Sequence, residues 1–241
     1  LRTSSASATE PYYAGRFSFP LRRIMSRGCL AERHSFQESI MLRDQLRAAV
    51  AHVGQALREP ESFAAAWNEG SVRYSFPVWA ALGATAILGT TTYGMVMGML
   101  GGPGDVLTKA LSCTVAAGLA WGIPLPALYI LNSMTGSHLP ASSTLLAALV
   151  TTSWGGLAMI ASVPIAWFFT VAIPHPGFVL LVHFIVFTGV GIAMLDVFGR
   201  VLRRLEPERG AAPLWWLGLV GVIGAELFYF LGLFNFGFVA V

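Results

Sequence analysis

Three side chains stand where chance placement is costly: His183, Asp196 and Glu226, each within a long apolar stretch. An ionisable group in hydrocarbon carries a large penalty, so such residues mark ion or proton paths, or polar contacts between helices. Asp196 is followed four residues later by Arg200, the spacing of an ion pair along a helix at the membrane interface. Glu226 lies mid-stretch beside Gly221, Gly224 and Ala225, small residues that admit a neighbouring helix, so it is expected to face protein. Counted from the ends of their stretches, His183 and Glu226 differ in depth by about 6 Å, which permits a hydrogen bond between them. That pair reads either as a polar clasp between two helices or as a proton or cation site. A pigment metal would take His183 as its ligand. Bis-histidine haem would need a second histidine at the same depth, and His138 falls in a loop on the other side. No intrinsic cofactor is therefore expected; bound lipid is, with a pigment as the remaining option.

A second constellation is the run from Gly122 to Gly136. Pro124 and Pro126 interrupt the helix, and two readings stay open. In one, freed carbonyls together with Tyr129 and Asn132 line a polar cavity, as broken helices do in transporters. In the other, the prolines kink the helix so that Asn132 and Gly136 end it at the interface. Elsewhere the residues decline catalytic roles. His34, His52, His138, His175 and His183 form no HExxH pattern, and no serine or aspartate sits in a nucleophile elbow, so no catalytic residue and no metal ligand is assigned. Cys29 and Cys113 have no CxxC spacing and predict neither a disulfide nor a cysteine-held metal. Met95, Met97 and Met99 alternate by two, which does not make one helical face for copper.

The elements that must carry these residues are membrane helices. The 241-residue chain is 55% hydrophobic and 11% charged, with a mean hydropathy of +0.66. Soluble domains carry about 25% charge, so lipid is the solvent here. Five apolar stretches, Pro77 to Leu100, Ala110 to Met134, Ser142 to Ile173, Phe178 to Val201 and Pro213 to Phe236, each reach the roughly 20 residues that cross a bilayer. Their continuity, without alternation, excludes a barrel. The expected fold class is all-α: a polytopic bundle of five transmembrane helices, with Pro164 tolerated inside the third.

Residues 1–40 read as an extended arm, rich in Ser and Arg and poor in acids, with the look of an organellar transit peptide. Residues 41–76 read as amphipathic interfacial helices. Leu42, Leu46, Val50, Val53 and Leu57 recur at helical spacing, and beyond Pro60 a short helix sets Phe63 and Trp67 one turn apart. Those rings suit either the headgroup layer or a packed protein surface. Residues 77–241 are the transmembrane domain. Of the fifteen basic residues, ten precede the first span, and Arg203, Arg204 and Arg209 adjoin Arg200 in the last loop on the same side. The opposite loops hold only Lys109 and His175. The positive-inside rule then places the N-terminus in the cytoplasm and the C-terminus outside, in a bacterial inner membrane or, alternatively, an organellar one. The net charge of +3 is a signal of topology and not of nucleic-acid binding.

The run Leu57-Arg58-Glu59-Pro60-Glu61-Ser62-Phe63, the Gly122 to Gly136 sequence and the five-span layout together resemble the Yip1-like bacterial membrane proteins, over about residues 42–204. The resemblance implies a five-helix membrane protein without an enzymatic reaction, and it supplies no catalytic residues. Gly94 and Gly98, Gly118 and Gly122, and Gly218, Gly221 and Gly224 recur at helix-face spacing and predict packing faces. The function expected is a non-enzymatic accessory or scaffold subunit held among other integral membrane subunits, for instance in a respiratory or photosynthetic complex. The alternative is a small transporter or channel built on Pro124, Pro126, Asn132 and Glu226.

Overall fold

A computed structural model describes residues 43–209 and 217–234, and helix is the only regular structure among them. The chain divides into two units, Leu1–Gln45 and Leu46–Val241. In the first, residues 43–45 are described and are helical; the expected arm over 1–40 lies outside the described residues. In the second, α1 covers 46–58, and α2 follows as Pro60–Asn68, started by a proline whose missing N–H costs nothing at a first turn. Then come α3 (Phe76–Gly98), α4 (Pro103–Gly122), α5 (Leu125–Met134), α6 (Ala141–Ala172), α7 (Pro176–Leu205) and α8 (Leu217–Phe230).

Four helical segments are long and apolar enough to cross a membrane: Phe76–Gly101, Pro103–Met134, Ala141–Ala172 and Pro176–Leu205. They match the first four expected spans. The second starts seven residues before the expected Ala110, because Pro103 opens a helix whose first turns are polar. Of the fifth expected span, Pro213 to Phe236, the described helix is α8, whose 14 residues extend about 21 Å; it ends at Phe230, short of the expected end, because the chain turns over 231–234 with Gly232 in the left-handed region, while 213–216 and 235–236 lie outside the described residues.

At the centre lies α3, packed along both α4 and α6. Small residues make this possible. A side chain on Gly89 would run into the backbone of Gly156. One on Gly156 would come within 2.7 Å of the Thr85 carbonyl oxygen and 2.8 Å of the Ala86 Cα. Along α4, a side chain on Gly94 would meet the Lys109 carbonyl at 2.6 Å. Where backbones come this close, threonines bridge them: Thr91 and Thr114 share a 2.8 Å hydrogen bond, and Thr90 donates to Thr114 at 3.3 Å. Interhelical hydrogen bonds of this kind contribute about 0.6 kcal/mol each in lipid, so close packing supplies most of the attraction.

The amphipathic stripe of α1 turned out differently from its expected face. Ala49 and Ala56, 2% and 0% exposed, are its most buried residues, in one cluster with Val78, Leu82, Leu146 and Val150; of the expected stripe Val53 packs against that cluster and Leu57 is half-buried. Leu46 and Val50 are 53% and 69% exposed. In α2, Phe63 is fully buried and stacks on Tyr74 at 4.0 Å, which settles its surroundings as protein. Tyr74 donates to the Phe63 carbonyl at 3.0 Å, and burial raises its pKa above the ordinary phenol value, so it remains a donor.

One end of the bundle is polar. Arg200 donates to Asp196 at 3.0 Å, the expected i,i+4 pair, and reaches α2 at Glu61, 2.7 Å away. Both pairs are substantially exposed, so each contributes under about 1 kcal/mol. Ser143 of α6 donates to Asn68 at 2.9 Å, and Ser137 and the His138 N–H both donate to Glu206 at 2.8 Å. These contacts gather α2, the start of α6 and the end of α7 at the same end. The turn leading there is closed by Gly136, at φ +90°, with Gly136 N–H donating to Ser133 and Ser137 N–H to Asn132. This is the Schellman arrangement, which needs a glycine at the left-handed position.

Candidate functional site

Three buried polar side chains, Tyr93, His183 and Lys109, lie toward the other end of the bundle. Tyr93 of α3 and His183 of α7 are each 0% exposed, and the Tyr93 hydroxyl shares a 2.8 Å hydrogen bond with His183 Nδ1. Their rings meet edge to face at 5.5 Å, and Phe187, one turn beyond His183, lies across Tyr93 at 5.2 Å. Cys113, Leu233 and Val190 are buried in the same cluster, with Phe228 of α8 packed on it. Tyr93 can take this central place because Gly94, the next residue, brings α4 close enough for Cys113 to pack beside it.

Lys109 supplies the second polar element. It is 4% exposed, and its Nζ donates to the carbonyl oxygens of Gly232 and, at 3.2 Å, of Leu233. Those carbonyls belong to the turn just beyond the C-terminal end of α8, where the helix dipole favours a cation. Lys109 therefore ties the end of α8 to the second turn of α4. Gly232, at φ +63°, gives the turn its left-handed residue, and Leu233 N–H donates to Phe228 at 3.0 Å.

The expected His183 to Glu226 pair is not what forms. His183 turns to Tyr93, and Glu226 is exposed on the side of α8 away from the bundle. Depth was a sound guide and facing was not. On α8 the inward stripe is Val220, Gly224, Leu227 and Phe228, and Glu226, two residues from Gly224, points about 200° around the helix from it. Near the prolines, α4 stops at Gly122 and α5 restarts at Leu125. Asn132 is 2% exposed and Tyr129 37%, so the two face different surroundings and do not line one cavity. Of the expected packing glycines, Gly94 and Gly98 meet α4 closely and Gly224 lies against Ala120. Gly118, Gly122, Gly218 and Gly221 have nothing within 4 Å of a would-be side chain.

Two residues central to the site escaped the sequence reading. Tyr93 had a signal, a lone hydroxyl-bearing aromatic amid Thr90, Thr91 and Gly94 in an apolar run. Lys109 falls in a loop by the expected spans, but Pro103 six residues earlier is a helix opener that carries it into the second turn of α4. Among the described residues, no three of His, Cys, Asp and Glu gather as a metal site.

Replacing Tyr93 with Phe isolates the hydrogen bond without changing ring packing. The expected loss is about 1 to 2 kcal/mol, read as a lower midpoint when SDS unfolds the protein in mixed micelles. An unchanged midpoint would mean that the bond contributes nothing to holding α3 against α7. No protein family, curated protein or solved structure matches the chain.

Proposed function

We infer that this membrane protein is a non-enzymatic accessory or scaffold subunit, whose bundle holds other integral membrane proteins in position. The observation that carries the reading is the division of labour between inward and outward residues. Inside, Tyr93, His183 and Lys109 act as struts, joining α3 to α7 and α4 to the end of α8. Outside, α4 and α8 present small residues with open space beside them, Gly118, Gly122, Gly218 and Gly221, next to exposed Leu119 and Val222. Helices associate in lipid through such close-approach faces. The Yip1-like resemblance points the same way, and in this reading the Arg200 end lies in the cytoplasm of a bacterial inner membrane.

Extraction from native membranes in a mild detergent, followed by native mass measurement, tests the reading. The expected species is substantially heavier than the 25.8 kDa chain and contains other membrane proteins. A bare monomer under those conditions would sink it.

A further inference from the structure

The outward side of α8 has an order of its own. Leu219, Val222, Glu226 and Tyr229 follow one another at spacings of three, four and three, the pattern of a seam where one helix meets another. Leu219, Val222 and Tyr229 are 40%, 62% and 79% exposed, and Glu226 is exposed with them. Gly218 and Ala225, seven residues apart, flank the seam, and nothing lies within 4 Å of a side chain built on Gly218. A second helix backbone can therefore come close.

Glu226 lies level with the middle of the neighbouring Pro103–Met134 segment. Gly224 lies against Ala120, about 25 Å along α4 from Pro103, and the carbonyls held by Lys109 are six residues, about 9 Å, beyond Glu226. Lipid tails offer a carboxylate neither water nor a hydrogen-bond donor, so an outward acid at this depth carries a free-energy cost that a polar partner would remove. A single polar residue in an apolar seam also fixes register and partner.

We propose that this seam is the docking surface for a transmembrane helix of a partner protein that brings a basic side chain, Arg, Lys or protonated His, opposite Glu226. Charge complementarity selects that occupant. A second copy of the chain packed about a twofold axis would set Glu226 against Glu226, two like charges competing for one proton. The proposal rests on the accessory-subunit reading and adds the chemistry of the partner.

A photo-crosslinking residue at Val222 of the full chain, in native membranes, tests it, with the same residue at Ile185 of α7 as the control. The expected adduct is a peptide from an apolar segment of another protein that contains Arg, Lys or His. Glu226→Arg is expected to cut its yield about tenfold or more, and changing the partner's basic residue to Asp in that background restores it. Should Glu226→Arg fail to fold, Glu226→Gln keeps the shape and removes the charge, and the same tenfold loss is expected. A crosslinked peptide without a basic residue, a peptide of this chain, adducts to lipid alone, or a yield indifferent to both substitutions overturns the proposal. Co-purifying subunits with no Val222 adduct would remove the docking face and leave the accessory reading standing. A bare monomer would remove both.

Discussion

Gly89→Leu is expected to take the bundle apart. The new side chain would grow into the backbone of Gly156, and backbone on a packed helix has no rotamer with which to yield. The helices α3 and α6 must then separate, and with them go the contacts of Val78 and Leu82 against Leu146 and Val150. Overpacking typically costs 1 to 3 kcal/mol; here two main chains and a shared core are displaced together, so about 3 kcal/mol or more is expected. Unfolding in SDS mixed micelles measures it. The control is Gly118→Leu, where space is open and the midpoint is expected to hold. Equal behaviour of the two variants would refute the close α3 to α6 crossing.

Lys109→Met is expected to loosen α8 without unfolding the rest. Methionine keeps most of the length of the stem, but no longer donates to the Gly232 and Leu233 carbonyls. Hydrogen bonds to a charged group contribute about 1.5 to 3 kcal/mol each, and the loss falls on one end of one helix. Hydrogen exchange should report it as faster opening of amides over 217–230, by about 30-fold for a 2 kcal/mol change, while α3 amides remain protected. Uniform acceleration across all helices would show that Lys109 serves the whole bundle instead.

What could be read from the sequence follows from how lipid constrains a chain. Length and apolarity alone located α3, α6 and α7, because a helix is the one local structure that satisfies its own backbone in hydrocarbon. The Asp196 to Arg200 pair was legible for a similar reason, being local to one helix. Facing was not. In a span that is apolar all round, periodicity gives no inward direction, and so neither the partner of His183 nor the side of Glu226 could be fixed. The crossing of Gly89 and Gly156 also stayed hidden, since it depends on two residues far apart in the chain that each look ordinary. On α1 the sequence offered large apolar residues, and packing preferred Ala49 and Ala56.

The lengths of the spans carry a further consequence. With 32 residues in α6 and 30 in α7, these helices extend about 48 and 45 Å, against roughly 30 Å of hydrocarbon. Such rods reconcile themselves to a bilayer by tilting, by protruding or by thickening the lipid around them. At one end protrusion is already in use, since Ser143 near the start of α6 binds Asn68, and Arg200 near the end of α7 binds Glu61. The remaining excess makes the bundle sensitive to membrane thickness. A thicker bilayer draws α6 and α7 upright, and a thinner one lays them over, so the angle at which the two helices stand follows the thickness of the lipid around them.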